Sequence, residues 1–290
     1  MKKLIFLALA AVLFCGCEKE IPLDQEEVKP KIVVNAVFHG NDTIWIHISE
    51  SRNILYEGNL PSIINANAQL LDANDNIIDN FTHAGEGYYY IANYLLIEGE
   101  IYKINISAPD FPTVFATSSI PSQLYIEQVD TIRKGDNMYY EIQFTDNPNQ
   151  INYYELEVSK LTSWYEPFIM DSIYSYETWC CTKEVFIQNG NAASDGVKCL
   201  ESLMFTDNSF NGQTKTITAY RNIEQEDSTI IIINLKSLTE DFYKYRLSRS
   251  KYQEMQGSPF AQPVQVYSNI NNGLGIFGSY ASSQYTLVIQ

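Results

Sequence analysis

Positive charge is scarce in this chain. Nineteen Lys and Arg stand against 35 Asp and Glu, which leaves a formal charge of −16. A surface of that sign repels phosphate backbones and anionic headgroups, so nucleic acid is excluded as a partner and a membrane cannot be held by charge alone. Histidine is scarcer still: His39, His47 and His83 are the whole supply. No spacing among them builds a metal site or a triad, so no metal and no cofactor is expected. Long apolar runs are missing as well. Apart from Leu4–Phe14, no stretch approaches the ~20 residues that cross a bilayer. Cysteine is limited to five residues. Three of them, Cys180, Cys181 and Cys199, have no histidine beside them, a poor set for zinc. In an oxidising compartment Cys199 can pair with Cys180 or with Cys181, leaving one thiol over.

What is present begins at the N-terminus. Lys2 and Lys3 precede the short apolar run, as in a secretory signal, and Gly16 stands before Cys17. Bulky Phe14 before Cys15 disfavours that cysteine. Residues 1–16 therefore read as a lipoprotein signal peptide, with Cys17 as the lipidated residue and 17–30 as the tether. Each buried methylene of an acyl chain such as palmitate contributes about 0.8 kcal/mol, so several chains on one residue anchor firmly. The Glu18-Lys19-Glu20 stretch resembles the charged surface-export signal of Bacteroidota lipoproteins. That resemblance implies an outer-membrane protein exposed at the cell surface.

The 21 tyrosines, with abundant Ile, Val and Thr, point to strands. Residues 44–48 alternate cleanly, with Ile44, Ile46 and Ile48 on one face and Trp45 and His47 on the other. Similar runs at 31–38, 67–71, 88–91, 101–108 and 113–119, separated by polar turns, predict an antiparallel sandwich over 31–121. It is immunoglobulin-like or prealbumin-like, and the order of turns resembles prealbumin-like and carboxypeptidase-regulatory-like modules. A second β-rich domain over 122–290 follows. Strands are predicted near 138–144, 152–161, 215–220, 228–235, 263–267 and 285–289, with 162–216 less regular. Ser237 and Glu240 form a capping box that opens one helix near 237–256. Leu238, Phe242, Tyr245 and Tyr252 share a stripe on it.

Several motifs invite sharper readings. Gly273, Gly275 and Gly278 spell a dinucleotide fingerprint, but no helix follows to receive a pyrophosphate, so glycines serving a tight loop are expected. Asp72, Asn74 and Asn76 imitate the start of a calcium loop, yet Ile77 and His83 occupy the positions that need Gly and Glu. Asp-Ser/Thr steps at Thr43, Thr131, Ser172 and Ser228 resemble the O-glycosylation motif of exported Bacteroidota proteins; plain turn chemistry explains them equally. Aromatics in strands serve first as core and cross-strand pairs. Trp164, Tyr165 and Trp179, in the less regular stretch, are the candidate contact aromatics for a ligand.

The segments Pro263-Val-Gln-Val-Tyr-Ser-Asn-Ile270 and Gly273-Leu-Gly-Ile-Phe-Gly278, with the lipobox and the tyrosine-bearing helix, resemble domain-of-unknown-function family 4249 of Bacteroidota outer-membrane lipoproteins. The resemblance covers nearly all of the mature chain. It implies a lipoprotein encoded beside a TonB-dependent transporter and brings no catalytic residues. The resulting expectation is a non-enzymatic binding or accessory subunit with a glycan or peptide ligand. The alternatives are a surface hydrolase using carboxylates of the second domain and a purely structural or adhesive protein.

Overall fold

The computed structural model describes residues 29–40, 43–53, 58, 60–166, 171–188, 196–222, 229–255, 262 and 264–289, with only the backbone at 162–166 and 171–174. Residues Lys31–Gln290 form one compact unit. Its first half supplies β1 (Ile32–Phe38), β2 (Ile44–Glu50), β3 (Asn67–Leu71), β4 (Ile77–Asn80), β5 (Thr82–Gly85), β6 (Tyr88–Ile91), β7 (Ile101–Ser107) and β8 (Val114–Ser119). Next come β9 (Gln128–Lys134), β10 (Asn137–Thr145), β11 (Tyr153–Glu166), β12 (Asp171–Thr178), β13 (Cys180–Thr182), β14 (Lys198–Leu200), β15 (Leu203–Thr206) and β16 (Thr214–Asn222). The chain continues through β17 (Thr229–Leu238), helix α1 (Glu240–Met255) and β18 (Leu274–Ile289). The protein is mainly β, as the alternating runs predict.

One long sheet is shared by two sandwiches. Its order is β12-β11-β17-β18-β1-β2-β6-β5, with β15 also on β11. A four-stranded sheet, β4-β3-β7-β8, covers the inner face at the β1–β6 end, and a five-stranded sheet, β14-β13-β16-β10-β9, covers it at the β11–β17 end. The first core joins Val34, Ile46 and Ile48 to Ile104 and Val114; the second joins Leu156, Ile231 and Ile233 to Ile142 and Phe144. Burying each such side chain contributes about 1.5–3 kcal/mol relative to leaving it exposed.

Strand β18 joins the two. Leu274–Ser279 pair in parallel with Val33–Phe38 of β1, and Tyr280–Ile289 pair antiparallel with Leu238–Thr229 of β17. The glycines make this approach feasible. A Cβ on Gly275, where φ is +107°, would stand 2.0 Å from the Val34 carbonyl oxygen. On Gly273 it would stand 2.8 Å from the Ile32 carbonyl oxygen, and on Gly278 2.8 Å from Phe242 Cβ of α1. The dinucleotide-like spelling is thus a set of close packing contacts.

The helix starts later than the capping box predicts. Ser237 and Leu238 stay in β17, because the ladder with β11 and β18 runs through both. Thr239 takes the cap position, its carbonyl accepting from Tyr243 N at 2.9 Å. Only Phe242 and Tyr243 of α1 are buried; Tyr252 is exposed, so the predicted stripe does not extend along the helix. The stretch 162–216 is more regular than expected, since it carries the end of β11 and all of β12–β15. Residues 264–267, by contrast, form no strand. They act as a strap: Tyr267 N donates to Ser248 Oγ at 2.8 Å, and Tyr267 OH donates to Asp241 Oδ1 at 2.5 Å. Asn269 then brackets Phe277, donating to its carbonyl and accepting from its N–H at 2.8 and 2.9 Å.

Candidate functional site

Helix α1 lies on the outer face of the shared sheet. Alternation in the strands decides what that face offers. Inward residues of β1, β11 and β17 fill the two cores, so the outward set is Asn35 and Val37, Glu155 and Glu157, and Lys236. Phe242, Tyr243, Leu238, Ile276 and Met204 make a small third core under the helix. Beside it a cleft of about 550 Å³ opens between helix and sheet. Val37, Ile276 and Phe242 give it an apolar wall, and Asn35, Tyr245, Arg246, Arg249, Tyr280, Lys236 and Glu155 give it polar groups.

The floor is a charge lattice. Glu155 is 1% exposed and is contacted by the Arg246 guanidinium at Oε1, while Lys236 Nζ stands 3.7 Å from Oε2. Register places Glu155 directly across from Lys236. Lys236 also pairs with Glu157 at 2.6 Å and lies over the Tyr280 ring, 5.4 Å from its centroid. A carboxylate so buried is tolerable only because cations compensate its lost hydration. Burial pushes the Tyr280 hydroxyl above its usual range, and Lys236 beside it acts in the opposite sense. Arg249, on the exposed side of α1, makes no ion pair among the described residues. Behind it and Arg246, a second hollow of about 430 Å³ contains Glu201, Ser202 and Glu254. Basic and acidic side chains therefore line both hollows.

Beyond β1 the same face becomes aromatic. Asn35 pairs with His47 across β1–β2, and His47 and Trp45 pair with Tyr88 and Tyr90 across β2–β6. Trp45 and Tyr90 stand 5.1 Å apart, His47 and Tyr88 4.6 Å. Trp45 is 47% exposed and Tyr88 48%. His39 rests on Tyr280 at 4.6 Å, next to the cleft. Ring faces of this kind, open to solvent, offer stacking surface to a sugar or a peptide. The arrangement provides hydrogen-bonding, charged and stacking groups for holding a ligand.

Those of the candidate site residues singled out in the sequence that are described do not line this cleft. Cys17, Glu18, Lys19, Glu20 and Ser228 are outside the described residues, as are the side chains of Trp164, Tyr165 and Ser172. Trp164 pairs with Ile173 near the tip of the β11–β12 hairpin, whereas Trp179 follows β12 at its opposite end and is 45% exposed. The backbone thus sets Trp164 and Trp179 at opposite ends of β12. Thr43 is half-buried at the entry to β2, and Thr131 is exposed on β9. Cys181 is bonded to Cys199 across β13–β14, and Cys180 is a buried free thiol. The Asp72 turn is held by its own chain: Oδ1 accepts from Asn74 N and Asn76 N at 2.8 and 2.9 Å. In the sequence, Glu155 and Lys236 show only as charges inside strand-forming runs. Their meeting depends on the β11–β17 register.

The model of the domain of unknown function DUF4249 matches residues 18–286. Among solved structures, a two-domain fibronectin type III segment of chicken tenascin is similar at 7% identity, covering 72% of this chain and 91% of that one, with a TM-score of 0.21. A DUF3823 family protein from Bacteroides ovatus is similar at 13% identity, covering 71% and 91%, with a TM-score of 0.22. A search of the curated proteins found no match.

Proposed function

We propose, for a chain that belongs to the domain-of-unknown-function family DUF4249, a non-enzymatic binding or accessory role as a lipoprotein of the outer-membrane surface. The observation that carries the reading is the helix–sheet cleft. Glu155 lies between Arg246 and Lys236, and Lys236 between two glutamates, so these groups shape a fixed polar surface beside exposed rings. Such a surface holds a ligand by complementarity. The lipobox cysteine and the charged stretch after it supply the anchor and the route outward. A TonB-dependent transporter is the partner we infer, and a glycan or peptide the ligand.

Affinity purification from detergent-solubilised membranes tests both halves. The wild-type chain is expected in the membrane fraction with a transporter, and Cys17→Ala is expected to be soluble or unprocessed and to lose it. Recovery of a lone monomer that binds no glycan or peptide would overturn the role. Turnover of a glycan or peptide that disappears in Glu155→Gln would make the protein a hydrolase instead.

A further inference from the structure

The loop from β10 to β11 contains an unusual convergence of oxygen atoms. Asn152 Nδ2 has four acceptors around it: Asp146 Oδ1 at 3.1 Å, the Asn147 carbonyl at 3.0 Å, the Gln150 carbonyl at 3.1 Å and Asp207 Oδ2 at 3.2 Å. A side-chain amide carries two protons, so it can serve only two of the four well. Two of the acceptors are carboxylates, and both are buried: Asp146 is 3% exposed and Asp207 is 1%. Asp207 Oδ1 is itself buried and has no hydrogen-bond partner. Neither aspartate is in an ion pair among the described residues. The remaining contacts are neutral donors. Tyr154 OH donates to Asp146 Oδ1, Gly212 N to Asp146 Oδ2 at 2.7 Å, and Asn152 N to Asp207 Oδ2 at 2.8 Å.

Two buried carboxylates beside one amide are under-compensated, because a buried charge needs a counter-charge as well as hydrogen bonds. The acceptors around the amide N–H₂ are two carboxylates and two backbone carbonyls, all of them hard oxygen donors, while the amide oxygen accepts from Gln150 Nε2 at 2.9 Å. Hard oxygen is the chemistry calcium selects, with its tolerance of irregular geometry and high coordination number. Thiols and imidazoles, which would favour zinc or copper, are missing from the group. Pro148, Asn149 and Gln150 are exposed on the outer side of the loop, with the donors on its inner side.

We infer that Asp146, Asp207, Asn152 and the carbonyls of Asn147 and Gln150 form a calcium site that locks the β10–β11 loop to the turn after β15. The cation would draw the oxygens inward and displace the Asn152 NH₂ group; the amide oxygen would leave the exposed Gln150 side chain, from which it now accepts a bond, to become a ligand. The site is independent of the cleft and of the role proposed for it.

Titration of the full-length chain in detergent with terbium, with tyrosine excitation, tests this, because Tyr154 touches a ligand carboxylate and would sensitise the bound ion. Saturable emission from one ion per chain is expected, displaced by calcium with half-effect at about 10⁻⁴–10⁻³ M, the range of extracellular modules. EDTA should lower the melting temperature and calcium restore it. Asp207→Asn should abolish the sensitised emission, and Asp72→Asn, in an exposed acidic turn, should leave it unchanged. If the wild-type chain gives no saturable emission and calcium leaves its melting temperature unchanged, the cluster is an amide clasp and the inference fails. Equal emission from wild type and a folded Asp207→Asn variant would overturn it as well.

Discussion

Among the described residues, the buried polar side chains of the first sandwich are Ser49, Ser118 and, on the segment of β18 paired with β1, Ser279; those of the second include Asp146, Lys160, Asp207 and Arg221. Both sandwiches use one sheet, and both cores are built on strand alternation, yet only one interior holds charge. The first satisfies its buried tyrosine hydroxyl. Tyr89 OH donates to the Ile63 carbonyl at 2.9 Å and accepts from Ala66 N at 3.0 Å. In the second, Tyr140 OH, Arg221 Nε, Thr229 Oγ1 and Asp207 Oδ1 are buried without hydrogen-bond partners among the described residues, against Ser118 Oγ in the first. Unpaired polar atoms in a dry core cost free energy and are retained where water, an ion or a ligand completes them. The contrast is one of interiors: the first core is built by apolar packing alone, and the second also accommodates charge.

The sharpest way to break this contrast is at Arg221, which is 3% exposed and donates to the carbonyls of Val158 and Glu177 and to the Glu177 carboxylate at 3.1–3.2 Å. Arg221→Ala should cost about 3 kcal/mol in urea unfolding, from orphaned carbonyls plus a cavity. Arg221→Met should recover only the packing part; full stability in that variant would show the buried charge to be dispensable. In the first sandwich, Ile46→Val removes one methylene from a charge-free core and should cost only about 1 kcal/mol by the same measurement. A loss as large as that of Arg221→Ala would erase the distinction.

The smallest effect is confined to alkaline solution. Burial pushes the Cys180 thiol up to about 12 from an ordinary 9.0, and the Tyr243 hydroxyl up to about 12 from 10.0. Both groups are raised in the folded state, so the unfolded chain loses these protons first. Their contribution is complete below about pH 9 and is lost as pH rises toward 12. The urea midpoint should fall steadily above pH 9, and Cys180→Ala should flatten the first part of that fall. An unchanged slope in the variant would mean that the thiol takes no part.

Much of the fold was legible before any coordinates. Ile44, Ile46 and Ile48 face inward as their alternation predicts, and the apolar run of β17 lies inside the long sheet between β11 and β18. The legible signals are local ones, in which period and turn chemistry act within a few residues. What was not legible depends on register between distant strands. Cys180 and Cys181 are equivalent in sequence; the pairing of Cys181 opposite Cys199 selects between them. The cap shifted from Ser237 to Thr239 because two neighbouring strands hold Ser237 in the ladder, overriding a local helix signal. Glu155, Lys236 and Arg246 come from β11, β17 and α1, and no spacing within any one segment announces their meeting. The oxygen cluster was missed for the same reason, since Asp207 reaches Asn152 across 55 residues. The turn at Asp72, which resembles a calcium loop more closely by spelling, is closed on its own amides.

Strand β18 gives the molecule an order of assembly. Until its residues 274–279 arrive, β1 has β2 on one side and an unpaired edge on the other, so the first sandwich stays open however early its own residues are available. An open edge of this kind recruits other chains. The contacts that close it join positions more than two hundred residues apart, which makes closure slow relative to local hairpin formation. The first half, though nearly complete in its own core, is therefore a dependent fragment. A chain cut short before Leu274 would present β1 as an adhesive strand, and completion of the last strand is the event that makes the folded protein safe among its copies.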